Sequence, residues 1–197
     1  MNLPNKITVS RIILVFIILF LANIYYKFSP PVAYAIQIVA VLLTIVAAYS
    51  DMLDGQIARK YNLVSDFGRL IDPLADKIFV MAIFIIFVDT VNPYTHHAML
   101  PGWIVVVVLA REFLVTGLRS LAATKGEVIA ADKYGKLKTV IQMAFFFFGA
   151  FIWLNILPLR GTVLIFWFIA MGVVALVTFF SGLNYFVKYR HLYLGNK

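Results

Sequence analysis

Long apolar runs, separated by short polar or turn-forming segments, follow one another along the whole chain. Each run reaches about 20 residues, the length of α-helix needed to cross a hydrocarbon core roughly 30 Å thick. Inside lipid the backbone has no water to bond with, so a helix satisfies its polar groups within one run. The pattern therefore predicts an all-α integral membrane protein with six transmembrane helices, at approximately residues 7–26, 31–59, 68–88, 103–123, 134–157 and 162–189.

The composition excludes an ordinary soluble protein. Of the 197 residues, 63% are apolar and only 13% are charged, whereas soluble domains carry about a quarter charged residues. The length suits a single domain over residues 1–197. No small-residue cleavage site follows the first apolar run, so we expect that run to be a span rather than a signal peptide. Cysteine is absent, which excludes disulfides, thiol catalysis and cysteine-bound metals.

The basic residues predict the orientation of the spans. A net charge of +8 in a membrane chain favours contact with anionic lipid rather than with nucleic acid. Most Lys and Arg residues lie at the two ends of the chain and in the second-to-third and fourth-to-fifth connections, while the other three connections hold only Lys27 and Arg160. Because cytoplasmic loops are enriched in Lys and Arg, we expect both termini to be cytoplasmic.

Acidic residues are concentrated at one place. Five of the nine lie in the segment 50–77. Asp51 and Asp54 are three residues apart at the end of the second run, and Asp72 and Asp76 are four apart at the start of the third. Each spacing places both carboxylates on one face of a helix, and the short connection brings the two pairs together at the cytoplasmic face.

Carboxylates beside hydrocarbon are costly unless they are paired or bound to a metal. Several facing one another repel, and a divalent cation removes that repulsion. Hard oxygen ligands favour Mg²⁺ or Mn²⁺, and two such ions can clamp a diphosphate during displacement at phosphorus.

The alternatives to a catalytic metal site are a structural ion, paired charges, or the cation path of a transporter or channel. The channel hypothesis expects polar residues across the whole bilayer, but the outer parts of both helices are almost entirely apolar.

Small residues lie between the aspartates. Gly55, Ala58 and Gly68 leave space for a ligand to approach the backbone, and Arg59 provides a charged fork suited to phosphate. The alternative for the small residues is ordinary close packing of membrane helices.

Together these residues match D-x-x-D-G-x-x-A-R-x8-G-x-x-x-D-x-x-x-D, which resembles the signature of the CDP-alcohol phosphatidyltransferase family. The resemblance implies an enzyme that cleaves the pyrophosphate of a CDP-linked donor, transfers the phosphatidyl or phospho-alcohol group to an acceptor hydroxyl and releases CMP. It also implies a homodimer. It assigns Asp76 as the general base. The implied metal ligands are Asp51, Asp54, Asp72 and Asp76. The implied nucleotide-binding residues are Gly55, Ala58, Arg59 and Gly68.

A second charged stretch covers residues 110–139, with Arg111 and Glu112 inside the fourth apolar run. Charges at that depth seldom face lipid. One hypothesis is a site for the phosphate of a small anionic acceptor, formed by Arg111, Arg119, Lys136 and Lys138. The alternative is a Glu112–Arg pair that only ties helices together, with the lysines marking the cytoplasmic side.

This stretch is similar to the phosphatidylglycerophosphate synthase branch of the same family, in the pattern A-R-E…G-L-R…L-A…G…I-A-A…G-K-x-K-T. The similarity implies CDP-diacylglycerol as donor and sn-glycerol 3-phosphate as acceptor, in a bacterial cell membrane. Inositol phosphate, serine and phosphatidylglycerol remain alternative acceptors. The chain also has the opening P-N-x-x-T-x-x-R of that branch. Its Asn5, Thr8 and Arg11 either touch the donor or cap and anchor the first helix, and we favour capping and anchoring.

Overall fold

The computed structural model describes residues 2–61, 65–127, 129 and 133–194, with side chains except those of residues 51–60, 66, 69, 133 and 134. These residues form helices and no β-strand; an isolated bridge joins Val91 and Ala98. The helices are α1 (Leu3–Ile24), α2 (Pro30–Lys60), α3 (Asp66–Asp89), α4 (Gly102–Thr124), α5 (Lys133–Trp153), α6 (Gly161–Lys188) and α7 (His191–Leu194). The all-α prediction is therefore confirmed for this part of the chain.

Four helical segments among the described residues are long and apolar enough to cross a membrane: Leu3–Lys27, Pro30–Ser50, Gly135–Trp153 and Gly161–Lys188. The helices α3 and α4 are also of spanning length, but each carries charged residues well inside its ends, for example Asp76 and Arg111. Composition alone therefore does not mark α3 and α4 as spans, and the count of six spans stays a prediction.

The chain forms two compact units, Met1–Asp89 and Thr90–Lys197. In the first unit, α1 packs against both α2 and α3. Its outer surface is apolar, with exposed side chains such as Phe16, Phe20 and Leu42. Such a surface suits contact with lipid rather than with water.

Three contacts fix the direction of α3 relative to α1. Asn5 pairs with Ser65, Thr8 with Asp72, and Arg11 with Asp76. Because the residue numbers of these pairs rise together along both helices, α1 and α3 run in the same direction. The helix α2, which connects them in the chain, runs back in the opposite direction. This is the arrangement that successive membrane crossings require.

In the second unit, α6 packs against α4 and α5, and α7 contacts α4. Trp167 of α6 is buried and stacks on Phe145 of α5, with ring centroids 4.5 Å apart. Its indole Nε1 donates a hydrogen bond of 2.6 Å to the carbonyl of Met99. This contact satisfies the polar group of an otherwise apolar side chain.

Two helix ends differ from the sequence prediction. The first helix begins at Leu3 rather than near residue 7, with Pro4 in its first turn, where a proline costs no hydrogen bond. The fifth ends at Trp153 rather than near residue 157. Asn155 there adopts a left-handed conformation with φ 54°, which ends the helix before Pro158.

Candidate active site

The α3 half of the aspartate signature is organised by α1. The Thr8 hydroxyl lies 2.8 Å from Oδ1 of Asp72, and Arg11 Nη1 donates to Oδ1 of Asp76 at 2.9 Å. Both aspartates are exposed, whereas Thr8 and Arg11 are buried. The carboxylates are therefore accessible to a ligand while one oxygen of each is fixed by a buried donor.

A third contact fixes the start of α3. The Gly68 amide donates to Ser65 Oγ at 3.0 Å, so that Ser65 caps the helix N-terminus. Asn5 Nδ2 lies 2.9 Å from the same hydroxyl oxygen. A Cβ added at Gly68 would lie 2.9 Å from Asn5 Oδ1, so a side chain at this position would press on the Asn5–Ser65 contact. The close approach of α1 therefore favours glycine at position 68 for a structural reason, in addition to the predicted role of Gly68 in nucleotide binding.

The other half of the signature lies on α2. The side chains of these residues lie outside the described residues, and their predicted roles stay predictions: Asp51, Asp54, Gly55, Ala58 and Arg59. Among the side chains that the structure describes, no group of three or more His, Asp or Glu residues is placed to hold a metal ion. The described donors, Asp72 and Asp76, are exposed carboxylates, and hard oxygen donors of this kind fit Mg²⁺ or Mn²⁺.

The second candidate cluster lies in the other unit. Arg111 is buried, and its Nη2 donates to Ser181 Oγ of α6 at 2.9 Å. Its Nη1 lies 3.3 Å from Glu112 Oε1, the oxygen that Lys138 Nζ of α5 also contacts. The guanidinium lies over the Tyr185 ring at 5.7 Å. One carboxylate thus joins two buried cations from two helices, as the helix-tying hypothesis expects.

A glycine provides the space for this buried arginine. A Cβ built at Gly182 of α6 would lie 2.9 Å from Arg111 Cγ. The side chain of Arg111 therefore passes directly over the α6 backbone. A larger residue at position 182 would therefore force the Arg111 side chain to shift.

Arg119 and Lys136, the other predicted acceptor residues, are exposed. Neither side chain forms a hydrogen bond or an ion pair with another described residue. The four predicted phosphate-binding cations therefore fall into two classes: Arg111 and Lys138 are buried and paired with Glu112, whereas Arg119 and Lys136 are accessible from outside.

Two serines of these clusters were not identified from the sequence. Ser65 had a usable signal, because a serine directly before a helical run is a typical N-cap. Ser181 had none, because a small polar residue inside an apolar run is equally compatible with packing.

Comparison with known proteins adds an independent line of evidence. Residues 1–180 match the family model described as CDP-alcohol phosphatidyltransferase. A Bacillus subtilis (strain 168) protein named CDP-diacylglycerol–glycerol-3-phosphate 3-phosphatidyltransferase is 40% identical over 195 residues, covering 95% of this chain and 94% of its own. A Rickettsia typhi protein with the same name is 37% identical over 142 residues, or 72% of each chain.

Proposed function

The chain belongs to the CDP-alcohol phosphatidyltransferase family, and we propose that it transfers the phosphatidyl group of CDP-diacylglycerol to sn-glycerol 3-phosphate. The products are phosphatidylglycerol phosphate and CMP. The observation that carries this proposal is the 40% identity to the Bacillus subtilis enzyme along nearly the whole of both chains. All fixed positions of the aspartate signature are present in addition.

The reaction requires two tasks of the protein's own residues. Gly55, Ala58, Arg59 and Gly68 bind the nucleotide part of the donor. Asp76 accepts the proton of the glycerol 3-phosphate hydroxyl as its oxygen attacks the phosphatidyl phosphorus. The bond from that phosphorus to the oxygen of CMP breaks, and its electron pair leaves with CMP. The transfer is direct.

Four carboxylates would hold Mg²⁺ or Mn²⁺, two ions in all: Asp51, Asp54, Asp72 and Asp76. When bound, such cations neutralise the charge of the pyrophosphate. Asp72 and Asp76 are the two ligands whose side chains the structure describes. They support the assignment, because both carboxylates are exposed and each is oriented by an α1 donor.

The proposed enzyme is one domain that crosses the bacterial cell membrane six times, with both termini cytoplasmic, and that forms homodimers. The contacts of Asp72 and Asp76 with Thr8 and Arg11 support a site near the cytoplasmic face. They set the aspartates level with the first turns of α1, directly after the N-terminus. If the N-terminus is cytoplasmic, so is the active site.

The test of the function is release of CMP by the purified full-length protein in mixed micelles containing CDP-diacylglycerol. We expect release to require both glycerol 3-phosphate and Mg²⁺ or Mn²⁺. Inositol phosphate, serine and phosphatidylglycerol should give little product in the same assay. A preference for any of these three would contradict the proposed acceptor, and absence of CMP release with every acceptor would contradict the proposed activity.

The exposed cations provide a prediction about acceptor binding. We expect Arg119→Ala to raise the KM for glycerol 3-phosphate roughly 10- to 150-fold, because a charge-assisted contact to phosphate is typically worth about 1.5–3 kcal/mol. The change in kcat should be much smaller. Arg190→Ala removes another exposed cation outside the predicted site and serves as the control. Equal KM values for the Arg119 and Arg190 variants would show that Arg119 does not bind the acceptor.

A further inference from the structure

Three polar residues on one face of α1 are almost completely buried. Asn5 is 6% exposed, and Thr8 and Arg11 are each 1% exposed. Their three-residue spacing aligns them along the helix. A buried guanidinium is costly unless it is paired, so the surroundings of Arg11 must compensate its charge.

The partners of these residues are members of the aspartate signature, and the burial of the pairs is asymmetric. The Arg11 side chain is 2% exposed, whereas that of Asp76 is 53% exposed. The Thr8–Asp72 pair has the same character, with a buried hydroxyl and an exposed carboxylate. The donor side of each contact is therefore enclosed by protein, while the acceptor side faces outward.

This asymmetry distinguishes the contacts from simple links between helices. Charged side chains of membrane helices that only pair with one another usually face the interior of the bundle, so a link that only joins two helices would enclose both partners. Here Oδ1 of each signature carboxylate on α3 meets an α1 donor. The Asn5–Ser65 contact also fixes the N-cap of the same helix. The α1 residues therefore set both the position of α3 and the orientation of its two carboxylates.

We propose that Thr8 and Arg11 are positioning residues: they hold the Asp72 and Asp76 carboxylates in the orientation that cation binding and proton acceptance need. This inference rests on the proposed function. Partners that orient the ligands of a metal typically contribute 10- to 100-fold to metal affinity or activity. The Thr8 hydroxyl would orient Asp72 in this way, and the Arg11 guanidinium would orient Asp76.

The first test measures Mn²⁺ binding to the full-length protein in detergent micelles, from the loss of the free Mn²⁺ signal in electron paramagnetic resonance. Thr8→Val keeps the shape of the side chain but removes the hydroxyl, and we expect it to weaken Mn²⁺ binding roughly tenfold. Thr8→Ser restores the hydroxyl and should bind within about twofold of wild type. Ser10→Ala is the matched control, because the exposed Ser10 hydroxyl on the same helix donates to the backbone carbonyl of Ile7 instead.

The second test addresses Arg11 and does not depend on the folding of the Thr8 variants. Arg11→Lys keeps the positive charge but loses the planar fork of donors. We expect kcat to fall about tenfold. The KM for glycerol 3-phosphate should stay within about twofold, because the buried Arg11 is paired with Asp76 and is not one of the proposed acceptor residues.

The outcomes separate this inference from the proposed function. If wild type and Thr8→Val bind Mn²⁺ equally, if Ser10→Ala weakens binding as much as Thr8→Val does, or if Arg11→Lys keeps the wild-type kcat, the positioning role is wrong even though wild type releases CMP. If Mn²⁺ binding shows the Thr8→Val loss and the Thr8→Ser rescue but wild type releases no CMP, the positioning of Asp72 stands and the proposed transfer is wrong.

Discussion

Asp76→Asn should lower kcat for CMP release about 10³-fold, within the 10²- to 10⁴-fold range typical of general acid–base catalysis. Asparagine has nearly the same size and shape as aspartate, but its amide does not accept the proton of the attacking hydroxyl. Mn²⁺ binding should persist in weakened form, because Asp51, Asp54 and Asp72 remain. The measurement is steady-state CMP release beside a Mn²⁺ titration of the same preparation.

The control for this variant is Asp89→Asn, which changes an exposed aspartate at the opposite end of the same helix, outside the signature. It should retain wild-type turnover. Because Asp76→Asn also removes the charge partner of the buried Arg11, the thermal unfolding midpoints of both variants should be compared. An Asp76→Asn protein that stays folded and turns over near the wild-type rate would show that another group takes the proton.

The helices of this protein were predictable because their signals are local. An apolar run of spanning length, bounded by residues such as Pro30 or Gly161, needs only neighbouring residues to define it. The ends that the pattern missed depend on distant or special contacts. The first helix starts at Leu3, and its early polar residues, such as Asn5, meet partners 60 residues away in the chain. The fifth ends where Asn155 adopts a positive φ.

The candidate site was likewise predictable only where its signals are local in the sequence. The period of a helix is enough to place Asp72 and Asp76 on one face, and their residue type is enough to suggest a hard cation. The donors that meet them depend on the rotation of α1 against α3, which the spacing along one helix does not specify. For the same reason the sequence left two hypotheses for Arg111. The structure shows it paired with Glu112 and bonded to Ser181, a residue separated from it by 70 positions.

Glu112→Gln should destabilise the protein by about 3–5 kcal/mol, the usual cost of leaving a buried charge without its ionic partner. The Glu112 carboxylate is the common partner of Arg111 and Lys138, whose side chains are each only 9% exposed. Glutamine keeps the length of the side chain but leaves two cations close together without a compensating charge. The measurement is the free energy of unfolding of the full-length protein in detergent micelles.

Glu127→Gln provides the matched control, because Glu127 pairs with His191 at the surface, where both side chains are 48% exposed. A surface pair of this kind contributes at most about 1 kcal/mol, so this variant should stay close to wild type. Equal stability of the Glu112 and Glu127 variants would show that the partly buried Glu112 carboxylate does not compensate the two buried cations.

The Glu112 variant also distinguishes the two hypotheses for Arg111 and Lys138. If these cations bind the acceptor phosphate, glycerol 3-phosphate supplies the missing negative charge, and it should raise the unfolding midpoint of Glu112→Gln more than that of wild type. If they only tie the helices together, the ligand should shift both midpoints equally, through the exposed Arg119 and Lys136 alone.

The double variant Glu112→Gln with Lys138→Met removes one of the two cations together with the carboxylate. It should recover part of the lost stability because one fewer buried charge is left uncompensated. A double variant less stable than Glu112→Gln would mean that the methylene chain of Lys138, rather than its charge, dominates the packing at this position.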